Sequence, residues 1–180
     1  MDILLHICCG PCLIHPFRIL KEKKFKIHGF YYNPNIYPFE EYVKRKEGLE
    51  SLRGVLDFKV EYPEYEQSDY FQAIVNHESS PERCTICWLL RLKKTAQQAK
   101  TLGFKVFSTT LLVSPYQNQE LLKQCGYQAA RETGVEFYYE DFRVGFKQAQ
   151  IEAKARGIYR QKYCGCKISM RPQLVERKQV

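Results

Sequence analysis

The sequence predicts a three-layer α/β domain with a parallel sheet and helices on both faces. Two observations carry that prediction. Strand-like and helix-like stretches alternate almost throughout, the order that parallel sheets with helical crossovers require. In addition, three chemically rich stretches, CCGPC, NPNIYP and STTLLVSPYQ, each follow or end a strand-like run. Ligands of open α/β sheets bind beyond the carboxyl ends of the strands, so these stretches are expected at one edge and in one site. With 180 residues and 44% hydrophobic content, the chain suffices for one domain with its own core. It reads as a single domain over 1–180, with a basic Cys-x-Cys tail from about 158 to 180.

Taken in order, residues 2–8 (DILLHIC) form a short apolar run stopped by turn residues, a buried strand. Pro11 suits the start of a helix over CLIHPFRILKEKK, although Pro16 is expected only in a first turn or at a kink. Residues 25–33 read as a strand and 38–54 as a highly charged helix. Residues 56–62 alternate as a strand should, and 68–78 read as a short helix with Ser68 as N-cap. The clearest helix is 84–103, apolar on one face, basic and polar on the other, and stopped by Gly103. A strand is expected over 104–112. A helix over 114–134 opens with a capping box: Ser114 as N-cap, Pro115 at the first helical position, Gln117 three residues after the cap. A strand over 135–142 and a helix over 146–157 precede the tail.

The net charge of +8, from 28 Lys and Arg against 20 Asp and Glu, favours a polyanionic partner; a merely basic soluble enzyme is the plain alternative. No run approaches the roughly 20 apolar residues of a membrane helix. The apolar start lacks a basic leader and breaks at Gly10–Pro11, so no signal peptide is expected. The expected location is the cytoplasm, where clustered cysteines mean metal or redox chemistry rather than structural disulfides.

The eight cysteines fall into Cys8–Cys9 with Cys12, Cys84-x-x-Cys87, Cys164-x-Cys166 and the isolated Cys125. Residues three apart share a helix face, so both sulfurs of CTIC can reach one metal centre. A helix N-terminus and Arg83 are expected to lower their thiolate pKa. Gly165 lets CGC bend, so that its sulfurs can bind one metal or close a strained, easily reduced bridge. Cys125, among Leu121, Leu122 and Ala129, reads as a small buried hydrophobe. The other groups are unlike and far apart, which departs from the paired knuckles of zinc ribbons, and they exceed the four sulfurs one zinc takes. Soft thiolates suit iron–sulfur clusters as well as zinc, so a redox cluster, a zinc site and plain thiol chemistry all stay open at this point. Neither a Walker-type Gly-x-x-x-x-Gly-Lys nor a Gly-rich, Ser-containing loop follows the first strand, so ATP hydrolysis is not expected to drive the chemistry.

In sequence, HICCGPC, YYNPNIYP, ERCTICWLLRL, STTLLVSPYQ and YCGCKIS resemble the cobalamin-independent epoxyqueuosine reductase family, QueH, over nearly the whole chain. The resemblance implies an adenine-nucleotide α-hydrolase-like, Rossmann-like fold. It implies the last step of queuosine biosynthesis, reduction of the cyclopentane epoxide to the alkene on a base already at the wobble position of tRNA. It implies a [4Fe–4S] cluster, with an additional mononuclear iron in some members. By position, Cys8, Cys9, Cys84 and Cys87 are the implied cluster ligands. Cys164 and Cys166 are a redox-active pair or ligands of the extra iron, a site that Cys12 lies close enough to join. The implied partners are tRNA and an electron donor.

That reduction takes two electrons and two protons and releases the oxygen as water; an iron acting as Lewis acid on the epoxide oxygen would weaken the C–O bond. Tyr37, Tyr116 and Asp141 lie near the expected edge but read as structural or RNA-contacting rather than as general acids. FYYNPNIYPF and RGIYRQKY offer aromatic faces and charge for a single-stranded loop, with about half of the tyrosines expected in the core. STTLLVSPYQ offers hydroxyls and a helix start for a phosphate or ribose. Arg91, Lys93 and Lys94 read as a solvated helix face, and His6 as a hydrogen-bonded core residue. Two rival readings are an iron–sulfur tRNA thiolation enzyme, disfavoured by the missing phosphate loop, and a non-catalytic, zinc-stabilised tRNA-binding module.

Overall fold

A computed structural model describes residues 1–79 and 81–170; residues 171–180 of the expected tail lie outside the described residues. Strands β1 (Asp2–His6), β2 (Lys26–Phe30), β3 (Lys59–Glu61), β4 (Val106–Thr109) and β5 (Glu136–Phe137) form one wholly parallel sheet in the order β3-β2-β1-β4-β5. The order reverses between β1 and β4, which makes their carboxyl ends the switch point where such sheets hold ligands. In register, His6 lies beside Phe30 on one side and Thr109 on the other. Ile3, Leu4, Leu5 and Ile7 are wholly buried, as a central strand covered on both faces requires.

Helices α1 (Gly10–Glu22), α2 (Phe39–Leu56) and α6 (Phe146–Ala155) pack together, while α4 (Glu82–Thr101) packs on α5 (Gln119–Thr133) and on the short α3 (Ser68–Ile74). Ile14, Leu52, Ala149, Ala153 and Ile158 form the small core of the first group. Helices α1 and α2 cross closely at Gly10: a Cβ there would meet the Gly48 carbonyl oxygen at 2.7 Å. Pro11 sits in the first turn of α1 as expected, but Pro16 lies inside the helix, which continues through it to Glu22. Pro16 has no N–H, so the Cys12 carbonyl loses its helical donor.

Two expected caps are corrected. Strand β4 ends at Thr109 and a 3-10 turn occupies Thr110–Val113, so Ser114 caps the end of that turn instead of opening a helix. Helix α5 starts later, where the Asn118 side chain accepts a hydrogen bond from the Leu121 N–H at 3.0 Å. Ser68 is already helical, and its N–H donates to Glu66 Oε1 instead. Gly103, at φ +80, follows the end of α4 as expected.

Candidate metal centre

Strand β1 delivers the chain to the switch point, and Cys9, with an extended backbone, forms the N-cap of α1. This turn brings Cys8, Cys9 and Cys12 together: their three Sγ atoms lie within 4.8 Å of one another, all buried. The neighbouring strand end fixes them. The Cys8 N–H donates to Thr110 Oγ1 at 3.1 Å, and the Thr110 hydroxyl donates to Cys8 Sγ at 3.3 Å. Hydrogen bonds from Cys12 and Cys9 hold the Cys8 pKa well below the ordinary thiol value against the cost of burial. Burial pushes Cys9 up, and its bond to Cys8 pushes Cys12 up. The three thiols are thus hydrogen-bonded to one another, with Cys12 and Cys9 acting on Cys8.

His6 is a core residue, as expected. Its Nε2 donates to the Tyr32 carbonyl at 3.1 Å, which leaves Nδ1 to accept from the Thr109 hydroxyl at 2.8 Å. Burial, helped by the charge of Arg91, lowers its pKa to about 3 and keeps the ring neutral.

A second group of thiols gathers beside the start of α4. Cys87 is buried in a cluster with Tyr70, Ile74 and Cys166, and Cys84 is half-buried one turn earlier. Burial pushes Cys87 up to about 11, against a hydrogen bond and charge from Arg91. The expected lowering fails at Cys87, and Arg83 instead donates to the Glu78 carbonyl. Cys166 Sγ lies 2.8 Å from the Tyr70 hydroxyl. A hydrogen bond from Cys164, with Tyr70 adding to it, draws Cys166 down to about 5, while Cys164 is pushed up by the same bond. Cys164 itself is exposed, its sulfur 2.8 Å from Ser169 Oγ.

The tail that carries Cys164 and Cys166 is clamped from α2. Buried Arg45 donates Nε to Glu41 at 2.8 Å, Nη2 to the Tyr163 carbonyl at 2.9 Å and Nη1 to the Cys164 carbonyl at 3.1 Å. Tyr159 donates its hydroxyl to the other Glu41 oxygen at 2.6 Å. The Tyr37 N–H donates to the Gly165 carbonyl at 2.8 Å, and Gly165 adopts φ +107 to present it. So held, the tail places Gln161 over the first group, its amide nitrogen 2.9 Å from Cys9 Sγ and 3.5 Å from Cys12 Sγ. The Gln161 amide oxygen is buried with no partner among the described residues.

A family described as "Epoxyqueuosine reductase QueH" matches residues 3–172. A protein named epoxyqueuosine reductase QueH from Dehalococcoides mccartyi is 35% identical over 91% of this chain and 90% of its own length. One of the same name from Thermotoga maritima is 35% identical over 93% and 90%. The chain belongs to the epoxyqueuosine reductase QueH family. Among solved structures, a predicted subunit of tRNA methyltransferase from Methanocaldococcus jannaschii shares the fold: TM-score 0.57, 15% identity, 86% of this chain and 74% of that one. The expected adenine-nucleotide α-hydrolase-like, Rossmann-like architecture is thereby met.

The donor set of this QueH family member suits a thiophilic metal. Three buried sulfurs converge, one of them with its pKa lowered by the other two, and the Gln161 amide faces them. Of the seven sequence candidates, Cys8, Cys9 and Cys12 form one group, and Cys87 and Cys166 share the other, with Cys84 and Cys164 next to them in sequence. Cys125 is buried, with its sulfur 3.6 Å from the Thr85 carbonyl, and stands apart as expected. Sequence reasoning missed Thr110, Gln161, Arg45 and Tyr70. Thr110 lies in the STTLLVSPYQ stretch and Gln161 in RGIYRQKY, but both were read for RNA contact, and Arg45 left only its spacing of four from Glu41.

Several surface expectations fail in this QueH family member. Arg91 is no solvated residue: it is 4% exposed and donates Nη2 to Asn33 Oδ1 at 2.6 Å. Tyr31 and Tyr32 are buried and belong to the half of the tyrosines expected in the core, while Tyr37, Tyr159 and Tyr163 are half-buried. Ser108, Thr109 and Thr110 are wholly buried and spend their hydroxyls on Tyr138, His6 and Cys8, leaving none for a phosphate. Asp141 is paired with Arg143, which holds its carboxyl below the usual range. Tyr116 is 85% exposed. No helix among the described residues is long and apolar enough to cross a membrane.

Proposed function

We propose that this chain is an iron–sulfur epoxyqueuosine reductase acting on tRNA. The observation that carries the reading is the buried Cys8–Cys9–Cys12 group at the sheet's switch point in a chain of this family. The reaction adds two electrons and two protons to the epoxide and releases one water, leaving the alkene of queuosine. Cys8, Cys9, Cys84 and Cys87 would hold a [4Fe–4S] cluster, with Cys12, Cys164 and Cys166 available to a further iron or, for the last two, to a dithiol. When bound, the cluster would supply electrons one at a time.

The chain's own residues prepare that site. Thr110 and Gln161 orient sulfurs of the first group by hydrogen bonds. The Glu41–Arg45 pair fixes the tail so that Cys166 meets Tyr70. The Tyr70 hydroxyl, 2.8 Å from that sulfur, holds a proton inside a buried cluster to which Tyr37, Tyr116 and Asp141 do not belong. Basic residues of the 156–167 segment, Arg156, Arg160, Lys162 and Lys167, supply charge for a phosphate backbone beside the exposed Cys164. The location consistent with this reading is the cytoplasm, and the electron donor is a separate redox partner.

Two measurements test the proposal. Nucleosides of tRNA from a strain lacking this gene and any other epoxyqueuosine reductase should accumulate epoxyqueuosine; unchanged queuosine refutes the assignment. Anaerobically purified protein should be brown, with about four or more irons per chain. A colourless protein holding zinc favours the zinc-stabilised tRNA-binding module instead.

A further inference from the structure

A buried cation stands between the two thiol groups. Arg91 lies four residues after Cys87 and seven after Cys84 on α4, so the three share one stripe of the helix. Its head group serves Cys87 by hydrogen bond and charge and also reaches toward β1. Asn33, which accepts from Arg91 Nη2 at 2.6 Å, donates its own amide to the Ile7 carbonyl at 2.9 Å, directly before Cys8. Arg91 is 4% exposed, and its Nε is buried with no hydrogen-bond partner among the described residues. Among the described residues no carboxylate lies within ion-pair distance of it. The contrast with Arg45 is instructive, because that equally buried arginine is paired with Glu41 at 2.8 Å. A guanidinium is always charged, and burying one without an anion is costly. Asn33, which is neutral, does not offset that cost. The arrangement calls for negative charge on both sides of Arg91, and sulfur is what the fold places there.

We infer that Arg91 is a positioning residue that serves as the shared countercharge of the two cysteine groups, held between them by Asn33, and that it sets the reduction potential of the metal–thiolate centre they bind. The inference rests on the iron–sulfur reading above. Each electron added to a thiolate-bound cluster makes it more negative, and a fixed buried cation favours the reduced form more than the oxidised one. Removing the cation therefore moves the potential down and makes the centre harder to reduce. A residue that served only to brace the Asn33 loop would leave the potential where it is.

The test compares wild type, Arg91→Lys, Arg91→Gln, Asn33→Asp and Asn33→Ala, each purified and iron-loaded without oxygen. Iron per chain is measured, and the midpoint potential is read by a spectroscopic redox titration. Arg91→Gln is expected to bind less iron or to titrate at a more negative potential, and Arg91→Lys, which keeps the charge, to lie nearer wild type. Asn33→Asp leaves Arg91 in place but neutralises it with an adjacent carboxylate, so it too should titrate more negatively and tests the idea if Arg91→Gln does not fold. Asn33→Ala breaks the same hydrogen bonds without adding charge and should stay closer to wild type than Asn33→Asp. Iron-loaded Arg91→Gln and Asn33→Asp with wild-type potentials overturn the inference alone. A wild type that binds no iron overturns the iron–sulfur reading and the inference with it.

Discussion

At the scale of single residues, the candidate centre depends on side chains other than its cysteines. Thr110 serves Cys8 twice, accepting from its N–H and donating to its sulfur. Thr110→Val keeps the shape but leaves a buried N–H unsatisfied, a cost of about 1–3 kcal/mol. A lowered melting temperature and weaker iron retention are expected; an unchanged melt would show that the N–H finds another acceptor. His6 makes a prediction with a definite sign. Its folded pKa, about 3, lies below the unfolded 6.5, so the native ring stays neutral while the unfolded one takes a proton. Its contribution is intact above pH 6.5 and is lost as pH falls toward 3, by at most about 1.4 kcal/mol per pH unit. Urea melts of the metal-free protein at pH 7 and pH 5.5 should show this loss, and His6→Gln should flatten it. The neutral role of His6 was legible in the sequence because a histidine inside an apolar run has to be satisfied locally. Arg91 was not legible, since a basic residue among Lys93 and Lys94 reads as surface until the helix is docked.

At the scale of elements, the clamp on the tail is the most exposed to test. Arg45→Gln breaks the bonds to the Tyr163 and Cys164 carbonyls and leaves Glu41 without its cation, a loss of about 3–5 kcal/mol for a buried pair. Trypsin should then cut faster after Arg160 and Lys162, and cleavage at the wild-type rate would show that the tail is held by something else. The crossing of α1 and α2 is equally specific. Gly10→Ala drives a methyl to 2.7 Å from the Gly48 carbonyl, and about 1–3 kcal/mol of stability should be lost in denaturant melts. Most elements were readable from apolar pattern and turn residues, and their ends were not. Ser114 satisfies the spacing of a capping box, yet Asn118 wins the cap because the chain first spends four residues in the turn Thr110–Val113. That turn is what presents Thr110 to Cys8, so the missed boundary and the missed residue have one cause.

At the scale of the whole molecule, the alternation of strands and helices gave the parallel class but not the strand order. Only the order shows why β1 and β4, a hundred residues apart in sequence, share the site. The candidate sulfurs come from the β1–α1 turn, from α4 and from the tail, so a metal held by all of them would join three separate parts of the chain. Anything bound to the native state alone stabilises it by mass action. Stripping the metal under anaerobic conditions should therefore lower the melting temperature and speed tryptic cleavage of the tail together; a melt indifferent to metal would count against ligands drawn from all three parts. Gln161 adds a consequence for biosynthesis. It covers Cys9 from 152 positions later in the chain. At ordinary translation speeds of about 5–20 residues per second, a ribosome takes roughly 8–30 s to make what lies between them. Through that interval the first three thiols exist without their cover, so oxidative damage during synthesis would fall on the nascent chain more heavily than on the finished protein.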